Sequence, residues 1–318
     1  MSRIPHAFLL RGSAGSGKRT FAAHWANALV CEHSDLSERP CRRCRSCRLF
    51  AAKTHPDVRE ITPPSDKKAI GIDQIRALID YVWLSRQFAQ QKIVMIPGAQ
   101  DMTLSAANTL LKTLEEPPGS VVFILISDQS DALPTTIRSR CQFLDFPTPP
   151  RAQVLPWLQE QLPPDVDANL ALDAASGAPL LALRYGNEDI VPKRAELYRE
   201  LTELLQGRAD PLTVAARWKT LGSSVVLPWI GNYITDLIRL RFSTGKQFTV
   251  RGEYSGDRAP DHRAGMEQVA ATLDLVYGYR LLDRYLEIRR AQGDAINLNE
   301  ALLLEGIAID FHLSTDVS

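Results

Sequence analysis

Two hydrophobic rhythms divide the chain. In the first part, short segments at 7–10, 58–61, 92–96, 121–126 and 142–145 carry strand signals, and the apolar run at 121–126 leaves no polar face. Runs of this length without alternation predict strands buried on both sides. Between them, apolar residues return at helical spacing: Ile72, Ile75, Leu78, Ile79 and Val82, then Leu104, Ala107, Leu110, Leu111 and Leu114. Strands alternating with helices predict an α/β domain with a parallel, doubly wound sheet, whose ligand site lies beyond the carboxyl ends of the strands.

Pro147, Pro149 and Pro150 then break the pattern, and strand signals nearly vanish. Residues 151–187 hold two or three short helical patterns around Val154-Leu155-Pro156-Trp157-Leu158 and 170–175, ending at Ser176-Gly177. Longer amphipathic helices are expected at 195–205, 212–221, 227–242, 266–290 and 298–311, with a loop over 243–261. The expected organisation is an α/β domain at 1–150, a small helical domain at 151–187 and an all-α domain at 188–318.

The chain's 318 residues suffice for two or three cores, and 45% hydrophobic with 23% charged residues is ordinary globular composition. Lysine plus arginine equals aspartate plus glutamate, 37 each, so no global charge drives binding to nucleic acid. No apolar stretch approaches the roughly 20 residues of a membrane helix. No secretory signal is read at the N-terminus, and the cytoplasm is the expected compartment.

Gly12-Ser13-Ala14-Gly15-Ser16-Gly17-Lys18 follows the first strand segment directly. A glycine-rich turn between strand and helix aims backbone N–H groups at a phosphate, and Lys18 can reach the outer phosphates. Yet Arg19 stands where a hydroxyl should hold Mg²⁺, and Thr20 comes one residue too late. The strand at 92–96 ends in Pro97-Gly98, where carboxylates should hold Mg²⁺ and orient water. The nearest acid, Asp101, is expected to cap the helix beginning near Thr103.

Four of five cysteines, Cys31, Cys41, Cys44 and Cys47, lie close together in sequence. Four thiolates at such spacing suit a structural, tetrahedral Zn²⁺, although spacing alone leaves an iron–sulfur cluster open. His33 and His55 are near enough to substitute, but a complete cysteine set does not need them. Arg39, Arg42, Arg43, Arg45 and Arg48 interleave with the cysteines; they read as a solvated basic face, with a zinc-based DNA-binding module as the rival reading. Cys141 reads as a small core residue.

Several of these residues together carry a family resemblance: the loop 12–18, the cysteine set, Thr54-His55-Pro56-Asp57, the run from Ala107 through Leu111-Lys112-Thr113-Leu114-Glu115-Glu116-Pro117-Pro118, Ser139-Arg140-Cys141, and 296–304 near the C-terminus. The chain resembles the clamp-loader branch of AAA+ proteins over nearly its whole length. The resemblance implies a AAA+ fold with a zinc-binding module, a helical lid and an α-helical collar. It also implies a heteropentamer of gamma or tau motor subunits and a delta subunit, which loads a sliding clamp onto primed DNA for the replicative polymerase. Arg140 would be a trans arginine finger acting on ATP held by a neighbouring motor subunit, and Cys31, Cys41, Cys44 and Cys47 would be the zinc ligands. Leu180 falls where a motor subunit carries its sensing arginine. Arg19, Pro97, Gly98 and Leu180 all depart from the ATPase pattern. They favour a non-hydrolysing subunit, with Gly12, Gly15, Gly17 and Lys18 forming a loop of weak or no nucleotide binding. The alternative is an ATP-hydrolysing gamma- or tau-type motor.

Overall fold

Alternate residues of the central strands face opposite ways into two separate cores, and that split explains the arrangement of the first unit. The computed structural model describes residues 5–65, 67–243, 260–293 and 299–312. Five strands form one sheet: β1 (Ala7–Gly12), β2 (Val58–Glu60), β3 (Lys92–Pro97), β4 (Val121–Ser127) and β5 (Gln142–Phe146). Their order is β2-β3-β4-β1-β5, and every neighbouring pair is parallel.

Leu9, Val94, Ile96, Phe123 and Leu125 pack on one face with Ile75, Leu78, Leu110 and Leu114. These helical residues belong to α3 (Ile72–Trp83) and α4 (Leu104–Glu115), which are numbered after α1 (Lys18–Val30) and α2 (Arg45–Ala51). Phe8, Leu10, Ile93, Met95 and Ile124 face the other way, against Ala22, Ala26 and Val30 of α1. Covering on both faces is why these strands read as apolar without alternation. A short helix, α5 (Thr135–Arg138), precedes β5.

Contacts divide the chain into two compact units that meet in sequence at Thr148 and Pro149. Among the described residues the second unit is all helical: α6 (Arg151–Gln161), α7 (Ala168–Ala174), α8 (Pro179–Asn187), α9 (Val191–Leu205), α10 (Pro211–Leu221), α11 (Ser223–Ser243), α12 (Pro260–Thr272), α13 (Leu275–Gly293) and α14 (Glu300–His312). Helices on both sides of residue 188 share one core, in which Leu158, Leu172 and Tyr185 pack with Trp218, Trp229, Tyr233 and Phe311. Trp229 donates its indole N–H to the Ala174 carbonyl at 2.7 Å, and Trp218 donates to the buried Glu200 carboxylate at 2.7 Å. Each large side chain so buried contributes about 1.5–3 kcal/mol.

Two sequence expectations fail here. The helix expected over 266–290 is two, α12 and α13, because Asp274 accepts the Val276 N–H at 3.1 Å and starts a new helix. Asp101 does not cap α4: Thr103 does, its hydroxyl accepting from the Ala106 N–H at 3.2 Å. The expected loop falls largely on 244–259, and 296–298 of the C-terminal motif likewise lie outside the described residues.

Candidate functional site

The glycine-rich loop joins the end of β1 to the start of α1, with Gly17 as the N-cap residue. Glycine is required at position 12, where φ is 153° and a Cβ would meet the Phe146 carbonyl oxygen at 2.3 Å. Lys18 is only 3% exposed. Its ammonium does not point into an open cleft. It donates to the carbonyls of Gly12 at 2.9 Å and Ser13 at 2.7 Å, approaches Ser16 Oγ at 3.3 Å, and pairs with Asp128 Oδ1 at 2.6 Å. Arg19 is turned outward and pairs with Glu60 at 2.7 Å, while Thr20 is exposed.

At the tip of β3 the structure modifies the sequence reading. Gly98 has a φ of 75°, and the short 3-10 turn Ala99–Asp101 brings Asp101 back over it: a Cβ at position 98 would stand 2.3 Å from Asp101 Oδ2. Pro97 and Gly98 supply no acid, yet a carboxyl group does reach the strand tip. Burial and then the charge of Asp128 raise the Asp101 pKa to about 6.

The four cysteines come from a helix end and a knuckle. Cys31 is the C-cap residue of α1, and Cys44 is the N-cap of α2, its sulfur accepting the Cys47 N–H at 3.3 Å. The Cys44 N–H points at Cys41 Sγ at 3.4 Å and the Cys41 N–H at Cys31 Sγ at 3.4 Å. Arg42, with φ 61°, shapes the turn between Cys41 and Cys44. The four sulfurs lie within 4.8 Å of one another, a group that could hold a metal ion. Backbone N–H groups of Arg43 and Cys44 lower the Cys41 pKa, whereas burial raises that of Cys47. Four sulfurs this close cannot all be thiolates without a cation between them.

His33 and His55 stay outside this set. His33 lies 3.2 Å from Glu38, and His55 is buried with Nδ1 accepting the Asp57 N–H at 3.1 Å. Of the nearby arginines, Arg45 stacks on Phe88 at 4.3 Å and Arg39 donates to the His33 carbonyl at 2.6 Å. Asp57, which sequence reasoning gave no separate role, pins the 87–89 segment by accepting backbone N–H bonds from Gln87, Phe88 and Ala89 at 2.7–2.9 Å.

Arg140 follows α5, two residues before β5. It pairs with Glu115 and donates to the Thr136 carbonyl at 2.9 Å. Cys141 is half-buried against the α3–α4 core rather than fully enclosed. Leu180 is 38% exposed near the start of α8.

A parallel sheet with a glycine-rich loop beyond its β1 strand, followed in sequence by a helical unit, defines a nucleotide-binding type of fold. Residues 1–150 match the family model described as "DNA polymerase III, delta subunit", and residues 188–312 match that of its C-terminal part. DNA polymerase III subunit delta' of Pseudomonas aeruginosa is 32% identical over 96% of this chain and 91% of its own. The Escherichia coli subunit delta' is 33% identical over 74% of this chain and 70% of its own. DNA polymerase III subunit tau of Bacillus subtilis is 38% identical over 45% of this chain and 25% of its own. The chain belongs to the DNA polymerase III subunit delta' family, clamp-loader subunits of DNA replication. Among the described residues, no helix is long and apolar enough to cross a membrane.

Proposed function

We propose that this chain is a non-hydrolysing subunit of the loader that lends Arg140 to the triphosphate bound by a neighbouring motor subunit. The observation that carries the reading is the state of its own pocket. The residue after Lys18 is an arginine engaged with Glu60, the tip of β3 is Pro97-Gly98, and Lys18 is committed to its own loop and Asp128. A pocket so furnished lacks the hydroxyl that holds Mg²⁺, and its two rim carboxyls are otherwise engaged: Asp128 is paired with Lys18, and burial with the charge of Asp128 raises the Asp101 pKa to about 6.

In this reading the gamma or tau motors and a delta subunit are its partners in a cytoplasmic heteropentamer, and sliding clamp and primed DNA are met through the complex. Residues 1–150 form the AAA+ domain, 151–187 the lid and 188–318 the collar; the family matches cover 1–150 and 188–312, and the helices on both sides of 188 share one core. Cys31, Cys41, Cys44 and Cys47 hold a structural zinc, which on binding neutralises the thiolates and ties the end of α1 to the start of α2.

Phosphate release tests the reading at two levels. The purified chain with Mg·ATP is expected to give no turnover, and sustained release abolished by Lys18→Ala would identify a motor instead. In the assembled loader, Arg140→Ala is expected to cut DNA-stimulated hydrolysis while the subunits still co-elute.

A further inference from the structure

We propose that Asp128 determines what the phosphate loop can bind: its carboxylate takes the place of a ligand's phosphate at Lys18, and neutralising it opens the loop to a polyphosphate anion. The inference rests on the reading of this pocket as one without turnover, and it assigns the exclusion to one side chain.

The placement of Asp128 follows from the sheet. β4 lies beside β1 in parallel register with Ser127 opposite Arg11, so the residue after β4 stands level with Gly12 at the mouth of the loop. Ser127 is buried, and its hydroxyl accepts the Gln129 N–H at 3.1 Å, closing a turn around Asp128. Such a turn sets the backbone at Asp128, whose half-exposed side chain reaches back over the loop. From there Asp128 Oδ1 reaches Lys18 Nζ at 2.6 Å.

An ammonium has three hydrogens. Those of Lys18 face the Gly12 and Ser13 carbonyls, Ser16 Oγ and Asp128, so every donor is already engaged. An incoming phosphate would have to displace the Asp128 carboxylate from Lys18 and then remain beside it, with like charges at close range. Asp101 stands on the same rim and feels the charge of Asp128. Arg19, the next cation along, is held by Glu60. The N–H groups of the loop remain suited to an anion, as at other helix N-termini; the negative charge of Asp128 is what opposes one.

The test is isothermal titration of the full chain with ATP and, separately, with inorganic triphosphate, each with and without Mg²⁺. Wild type is expected not to saturate below about 1 mM. Asp128→Asn is expected to bind both ligands at least about tenfold more tightly, and Lys18→Ala in that background to return binding to the wild-type level. Circular dichroism checks the fold, and Asp128→Ser serves if the asparagine variant does not fold. The inference is overturned if both neutral variants bind no better than wild type, if binding survives Lys18→Ala, or if Asp128→Asn binds ATP but not triphosphate, which would place the contacts on the nucleoside. Micromolar binding or phosphate release by wild type would sink it together with the non-hydrolysing reading. Inert neutral variants beside an inert wild type would sink it alone.

Discussion

Arg140 is tied to Glu115 of its own chain by a guanidinium–carboxylate pair in which the two side chains are 33% and 47% exposed. Glu115 is the last residue of α4, where the helix dipole disfavours a carboxylate, so Arg140 offsets a charge that the helix end would otherwise resist. The Thr136 carbonyl holds the same guanidinium from the α5 side. Arg140 is thus steered by two elements, and its remaining exposed edge can meet a second anion.

Replacing Arg140 by alanine should lower turnover at the neighbouring motor's site by about 10³-fold or more, the effect of losing a finger supplied in trans. Glu115→Gln, which keeps the shape and removes the charge, should give a rate between wild type and Arg140→Ala. Single-site hydrolysis in loaders carrying one active motor measures both. Equal rates for Arg140→Ala and wild type would remove the finger assignment.

Metal analysis of protein purified without chelator should find about one zinc per chain. Cys44→Ser removes one proposed ligand while a serine hydroxyl can still cap α2, so metal content should fall and any accompanying drop in melting temperature reports the metal rather than the cap. Well-folded wild-type material without metal would contradict the zinc assignment.

Asp57→Ala should loosen the segment 84–91, because three backbone N–H groups lose their shared acceptor. The expected cost is about 1–3 kcal/mol, with faster proteolytic nicking there. Although burial pushes the other way, the N–H bonds from Ala89, Phe88 and Gln87 hold the Asp57 carboxyl below its usual range. Its contribution is therefore present at neutral pH and fades as acid protonates it, below about pH 4. Denaturant titrations of wild type and variant should converge in acid.

Asp101 has the opposite sign. Burial and Asp128 raise its pKa to about 6, so the folded state favours the protonated acid, and stability is lost as pH rises through that value. Asp101→Asn should stabilise the protein at pH 7–8 by about 1 kcal/mol, the shift being discounted for solvent screening. The gain should shrink below pH 6. Melting curves at pH 5 and pH 8 decide it, and an equal or reversed gain at pH 5 would refute the assignment.

The central strands β1, β3 and β4 were legible because each is a short apolar segment covered on both faces, whereas β2 and β5 lie at the sheet edges and keep polar, exposed residues among their apolar ones. The cysteine cluster was legible because its four members are near in sequence, and cap and knuckle geometry brings their sulfurs together. Two local errors came from ignoring caps. The apolar spacing of Val269, Leu273 and Leu281 runs across the break before α13, although Asp274 is a start signal. Thr103 outcompetes Asp101 because the 3-10 turn uses residues 99–101. Lys18 with Asp128 and Arg140 with Glu115 could not be read from spacing. Each pair depends on which elements become neighbours, and that is decided by the assembled sheet.

The Lys18–Asp128 pair also bears on how the subunit behaves in a cell. On the reading proposed above, a loop that carries its own counter-ion would keep one shape whether ATP or ADP prevails around it, leaving a still member beside moving ones.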